Sequence, residues 1–377
     1  MQILWYEMKK ILTWKSLLLL LIINCILYFF LIHFYIKYFP NGRPELDSYR
    51  IGIEMVEKYG SSMDDEEFKD FLKTYKAQTK EADQYLQTKK LAVAEGFDTY
   101  EKFNTFRWDK ASKEANAFRD RLFFESDIDL FWELQARQSI IGYYEGKEMY
   151  PSDITSAQKQ RLEELAQAGI FATYPEVAIR NFRDYISNVA VAILFSVVVV
   201  MSPTILKDRT RKIVPMQYTA RKGRNLLTTK LIAGLVSTLL IITGLLVIYI
   251  GIYTLNDTSM FFNVRINTFI GNESWYNPTF FQYILFTIGG IYLVGLAFGL
   301  AAMSFSAIVP NTLTLLGVQI PFIAGFLIFG LHRLITYPMN MWFPKWQMPV
   351  FYGLIILSSV IFVWYVNRRE KKMDINI

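Results

Sequence analysis

Few residues of this chain are of a type and spacing that could do chemistry. The nearest approach to a phosphate-binding loop is Gly142-Tyr143-Tyr144-Glu145-Gly146-Lys147-Glu148. Such a loop needs glycines set so that backbone N–H groups can wrap phosphates, a Lys for charge and a following Ser/Thr for Mg²⁺. Here the glycine spacing is one residue short and no Ser/Thr follows Lys147. The only histidines are His33 and His332, and Cys25 is the only cysteine. The histidines have no ligand partners at useful spacing, which disfavours a zinc site, and an intrachain disulfide and a Cys-x-x-Cys site are ruled out. No His-Glu-x-x-His, no Gly-x-Ser-x-Gly and no carboxylate pair within an apolar run occurs. The sequence therefore predicts no catalytic residue, no metal and no cofactor held by this chain. What remains is a concentration of charge: Lys207, Arg209, Arg211, Lys212, Arg221, Lys222, Arg224 and Lys230 stand together against the single acid Asp208.

The elements that carry this cluster are apolar. Of 377 residues, 53% are hydrophobic and 16% aromatic, and mean hydropathy is positive at +0.22. A bilayer core of roughly 30 Å needs about 20 apolar residues in a helix. Runs that satisfy this predict six spans, at 17–38, 186–206, 231–253, 280–306, 312–331 and 350–366. The second begins with a polar stretch after Pro175. Asn277-Pro278 has the form of an N-cap followed by a first-turn proline, and Pro310-Asn311 separates spans four and five. The expected fold is an all-α polytopic membrane protein: six transmembrane helices plus a helical extracytoplasmic domain.

Charge sets the expected direction. Residues 41–180 hold 20 Lys/Arg and 27 Asp/Glu, a net −7, which leaves +13 on the remainder. Lys9, Lys10 and Lys15 precede span one, the basic cluster of 207–230 separates spans two and three, and Arg368, Arg369, Lys371 and Lys372 follow span six. Cytoplasmic loops carry the Lys/Arg excess. Both termini and residues 207–228 are thus expected in the cytoplasm, with 41–180, 254–279 and 332–347 outside, in a multi-pass protein of the plasma membrane. Basic charge confined to such loops speaks for membrane orientation and against a nucleic-acid partner. No small-residue cleavage site follows the first apolar run, so it reads as an uncleaved span. Ahead of it, residues 1–15 set Leu4, Met8, Ile11 and Leu12 on one helical face, with Glu7, Lys9 and Lys10 away from it. The segment lies in the interface plane or, alternatively, extends span one.

Residues 41–180 read as helices: about 44–59, Ser62 to Lys89 with Phe68, Leu72, Tyr75 and Tyr85 as a stripe, about Asp98 to Glu133, and one opened by a Thr155–Gln158 capping box. A turn at Glu95-Gly96 predicts an antiparallel hairpin, and the aromatic stripe predicts packing. Asn256-Asp257-Thr258 and Asn272-Glu273-Ser274 are glycosylation sequons on the expected outer side. No predicted span core contains Asp, Glu, Lys or Arg, which disfavours coupling to a proton or sodium gradient. Asn24, Asn188, Thr243, Thr287 and Gln319 are expected to hydrogen-bond between helices, and Gly295-Leu296-Ala297-Phe298-Gly299 to allow close helix approach.

The layout resembles the membrane permease subunits of ABC-2 type transporters, which have a type-V-like exporter fold. Trp5-Tyr6-Glu7-Met8-Lys9-Lys10-Ile11-Leu12 looks like the family's elbow helix, with Glu7 and Lys10 as its marks. The stretch from Lys207-Asp208-Arg209-Thr210-Arg211-Lys212 through Tyr218-Thr219-Ala220-Arg221-Lys222-Gly223-Arg224 to Lys230 is similar to the family's intracellular coupling segment. Six spans with a large domain between the first two match one branch of it. The family often has Glu where this chain has Asp208, and a glycine near Arg211 that is absent.

The resemblance implies an export machine of two permease subunits, identical or related, and two soluble ATPase subunits that hold the ATP and Mg²⁺. Asp208, Arg211, Ile213, Val214, Met216, Tyr218, Arg221, Arg224 and Lys230 are its candidate ATPase-coupling residues, with Ile213, Val214, Met216 and Tyr218 as apolar contacts. A simpler alternative is that the basic residues fix topology and bind anionic membrane lipid. A membrane-anchored sensor or scaffold, whose external domain binds a ligand or protein, is the competing class of function.

Overall fold

In a computed structural model, residues 2–125, 128–147, 153–211, 213, 223 and 226–372 are described. These residues are all-α apart from short 3₁₀ and π turns, and the only β features among them are two isolated bridges. Helix α1 (Gln2–Ile11) ends before Thr13, whose hydroxyl accepts from the Ser16 N–H and caps α2 (Trp14–Leu27). A π turn at Tyr28–Ile32 and α3 (Phe34–Lys37) continue the same rod. The extended backbone at Thr13 makes α1 a separate element, not an extension of span one. Its buried residues are Glu7 and Ile11, which corrects one expectation: Glu7 lies on the inward face of α1, with Leu4 and Met8 half-buried beside it.

Next come α4 (Glu45–Tyr59), α5 (Asp65–Gln87), α6 (Lys90–Glu95), α7 (Tyr100–Thr105), α8 (Lys113–Asp120), α9 (Leu130–Glu145) and α10 (Ser156–Gln167). Complete capping boxes open α5 at Asp64–Glu67 and α10 at Thr155–Gln158. The single helix expected over 98–133 is instead several pieces. Thr99 and Ser112 act as internal N-caps, and the Trp108 indole donates to the Phe103 carbonyl at 3.2 Å, taking an acceptor that a continuing helix would use. The pieces curl around Phe97, Phe103 and Phe131, so the fold there is a compact aromatic core and not a two-helix hairpin. Burying each such ring contributes roughly 1.5–3 kcal/mol. Tyr75 and Tyr85 of the predicted stripe pack against this core, while the fully buried positions of α5 are Phe71, Ala82 and Leu86.

The remaining helices are α11 (Val177–Met201), α12 (Pro203–Thr210), α13 (Leu226–Tyr253), α14 (Phe280–Ile308), α15 (Thr312–Phe329) and α16 (Gln347–Lys372). Among the described residues, six helical segments are long and apolar enough to cross a membrane: 14–32, 177–210, 226–256, 280–308, 312–329 and 347–372. The chain is therefore a multi-pass, all-α membrane protein with a helical soluble domain. Asn311 caps α15 through the Thr314 N–H. Asn277-Pro278 does not cap α14: the Pro278 carbonyl accepts from the Ile266 N–H and Thr279 bridges Arg265, so the helix starts at Phe280. This short extended pairing overrides the local capping signal.

The chain divides into two compact units. The first comprises residues 1–39, 180–257 and 281–377, which hold the spans. Its central helix is α11, two thirds of whose most apolar stretch (67%) is buried, against 11% for α15 and for α16. Polar side chains tie the helices together: Asn24 donates to the Ser196 hydroxyl at 2.8 Å and accepts from the Tyr249 hydroxyl at 2.9 Å, and Ser202 donates to Gln319 at 2.7 Å. Thr243 meets the Tyr292 hydroxyl at 2.8 Å. Thr287 instead bonds a carbonyl of its own helix, and Asn188 donates to the Asp184 carbonyl one turn back. Gly299 and Gly295 face α13, where an added Cβ would lie 2.5 Å from the Thr238 hydroxyl and 2.6 Å from Ile242.

The second unit joins residues 40–179 to 258–280. Tyr174 is fully buried there, its N–H donating to the Thr268 carbonyl and its carbonyl accepting from Ile270, each at 2.9 Å. Its hydroxyl reaches the Gly60 carbonyl at 3.1 Å. Phe261 packs on Gly52.

Candidate functional site

Residues distant in sequence converge at one end of the spans. A cavity of about 290 Å³ is lined by Glu7, Lys10 and Ile11 of α1, by Thr204, Ile205, Lys207 and Asp208 of α12 with Arg211 at its end, and by Lys230 in the first turns of α13. Each element has a local reason to be there. Pro203 opens α12 after Ser202, because its missing N–H falls among those left unpaired at a helix start. Ile205 and Leu206 anchor α12: Leu206 packs with Val309 and Leu315, and its N–H donates to the Ser306 hydroxyl at 2.9 Å. Asp208 follows on that inward side and is buried with Lys230, the two meeting at 2.5 Å. Glu7, also buried, accepts from Lys10 at 2.7 Å. Next to the cavity Arg209 pairs with buried Glu370 of α16.

The arrangement has structural and binding capacity but no reactive group. Burying an ion pair costs desolvation that only close, hydrogen-bonded geometry offsets, so such pairs act mainly as registering devices. Here two of them tie α12 to α13 and α16 in fixed register. No nucleophile–base pair lines the cavity, and no His/Cys/Asp/Glu group among the described residues could hold a metal ion.

Of the positions singled out in the sequence, Glu7, Lys10, Asp208, Arg211 and Lys230 share this one cavity. Ile213 stands just beyond, half-buried, its N–H donating to the Asp208 carbonyl at 3.1 Å. Val214, Met216, Tyr218, Arg221 and Arg224 lie outside the described residues. Lys207, Arg209 and Glu370 were not singled out individually. The first two were counted only as basic charge, and Glu370 sits in a basic tail where nothing in its neighbours signals a partner 161 positions away.

Other candidates do not form sites. Gly142 to Lys147 are the last turn of α9 and the residues after it, where carbonyls and not N–H groups are presented, and the Lys147 ammonium is held by Asp65 at 2.7 Å. Hydrogen bonds from Lys147 and Tyr144 hold the Asp65 carboxyl below its ordinary range. In the same unit burial pushes the Asp47 carboxyl up despite nearby Arg43. The sequon residues Asn256 and Asn272 are buried and donate to the Tyr35 and Ile270 carbonyls, so neither presents its amide for modification. Two larger cavities, of about 490 Å³ beside α2 and α13 and about 670 Å³ among α14, α15 and α16, are walled almost wholly by apolar side chains.

No protein-family model, no curated protein and no solved structure matches this chain. Its own geometry is that of a six-span helical membrane protein in which, among the described residues, a cluster of charged side chains joins the first helix to the α12–α13 region.

Proposed function

We propose that this chain is the membrane-spanning permease subunit of an ATP-driven exporter, energised by a separate soluble ATPase that docks on the segment after α12. The observation that carries this reading is the single cavity shared by Glu7 and Lys10 with Asp208, Arg211 and Lys230. These are the positions that the resemblance to ABC-2 permeases assigns to the elbow and the coupling segment. A push on residues 211–225 would reach α12 through Ile213 and Asp208, and then pass to α13 through Lys230 and to α16 through Glu370. That is the linkage a coupling element needs: a rigid lever joined to several spans. A second permease copy would have room on α15 and α16, whose apolar surfaces the chain itself leaves mostly uncovered.

The test is co-purification in mild detergent with soluble proteins of the same cell. Wild type should retain an ATPase subunit. Replacing Ile213 and Met216 by Asp should cut ATPase per permease and transport, because each apolar contact is worth roughly 1.5–3 kcal/mol. Neutralising Arg221 and Arg224 should matter less, since exposed ion pairs contribute about 0–1 kcal/mol. Full ATPase retention in the Asp double variant would reject this docking surface.

A further inference from the structure

We propose that the cavity between α1, α12 and the start of α13 holds the phosphate of one anionic phospholipid headgroup. The charge balance inside it is uneven. Each of its two carboxylates lies against an ammonium, Glu7 against Lys10 and Asp208 against Lys230. Lys207 and Arg211 line the same space, are exposed, and have no ion-pair partner among the described residues. Residues 212–225 contain no Asp or Glu, so the sequence that follows supplies no neutralising acid. Two uncommitted cations in one concavity match a phosphate ester, for which the Arg fork offers paired donors.

The remaining walls are what a lipid needs. Leu19, Val199 and Val200 line the cavity's other side, so apolar surface continues from the cations toward the span interiors. At about 290 Å³ it is at the small end of ligand pockets and fits a headgroup better than a bulkier solute. Its depth is set by α1, which buries Glu7 and Ile11 while exposing Trp5 and Tyr6, with Trp14 exposed just after it. Amphipathic aromatic rings collect at the headgroup level of a bilayer, and basic pockets between spans are a known way of holding phosphate headgroups there. A cavity beside such rings matches the position of a lipid phosphate. Occupancy requires no ATPase.

The full-length protein, delipidated and returned to nanodiscs of phosphatidylglycerol or phosphatidylcholine, can be read by native mass spectrometry for lipid that stays bound. Wild type should keep one phosphatidylglycerol with a preference of about tenfold or more over phosphatidylcholine. Lys207→Gln with Arg211→Gln should reduce that preference to near unity. Lys207→Arg with Arg211→Lys should keep it, as should Arg368→Gln, an exposed cation outside the cavity. Equal retention of the two lipids by wild type overturns the proposal without reference to any variant. Equal loss in Arg368→Gln also overturns it, because the preference would then reflect net charge and not this cavity. Glycerol 3-phosphate or inorganic phosphate is added as a competitor. Displacement of the lipid by either at the lipid's own concentration would assign the cavity to a soluble phosphate and overturn the lipid assignment.

Discussion

At the scale of residues, two buried carboxylates lead to opposite expectations. Asp208 is closely paired, so removing Lys230 takes away the ammonium that compensates a buried carboxylate. Lys230→Met should lower stability by about 3–5 kcal/mol, whereas Asp208→Leu with Lys230→Met should recover most of it. Thermal unfolding in one detergent checks both, and equal losses in single and double variants would show that the pair is not the source. Asp47 is fully buried, and neither of its carboxylate oxygens has a hydrogen bond, the nearest cation being Arg43 at 3.6 Å. Burial raises its pKa above the unfolded value, so between the two values the folded chain binds more protons than the unfolded one. The stability of the second unit therefore falls as pH rises from the unfolded pKa, near 4, through the folded one. Asp47→Asn should remove that slope and match or exceed wild type at pH 7. Hydrogen exchange of the α4 amides from pH 4 to 8 measures it, and an unchanged slope would sink the assignment. The Asp208–Lys230 pairing was not legible in the sequence, because an ion pair over 22 positions leaves no periodic trace, and the burial of Asp47 is set by tertiary packing that its spacing of four from Arg43 does not reveal.

Elements were more legible where one strong signal governed them. Runs of about 20 apolar residues gave the six spans, and the Thr155–Gln158 spacing gave α10 its start. The signals failed where tertiary contacts compete with local ones. Phe97, Phe103 and Trp108 cluster where the helix expected over 98–133 breaks, and the 264–280 pairing delays the start of α14 beyond Asn277-Pro278. On α1 the apolar residues were read correctly as a face, yet Glu7 shares it, because a buried acid with a Lys three residues later looks like an exposed pair. The α13–α14 contact rests on missing side chains. Gly299→Ala would place a methyl 2.5 Å from Thr238, a β-branched residue with little freedom to turn away. The expected cost is about 1–3 kcal/mol, while Gly289→Ala, with open space at its Cβ, should be neutral or slightly stabilising. A shared loss in melting temperature for both would point to general helix effects and not to this contact.

At the scale of the whole molecule, the Lys/Arg distribution sets the expected direction of the spans. A cysteine at Lys80 in a Cys25→Ser background should label from outside the cell and one at Thr210 should not. External labelling at Thr210 would reverse the arrangement. The second unit agrees with an even number of crossings between its two parts, since residues 40–179 and 258–280 share one core. That shared core also fixes an order of assembly. Tyr174 is complete only when Thr268 and Ile270 flank it, and these leave the ribosome after α11, α12 and α13 have been made. At about 5–20 residues per second, the first part of the domain waits for seconds with Tyr174 and the surfaces that receive Phe261 and Phe269 uncovered. Biogenesis of this protein therefore has a vulnerable interval, when three spans are inserted and the domain between the first two is still unsealed, and folding helpers or proteases on that side of the membrane meet it then.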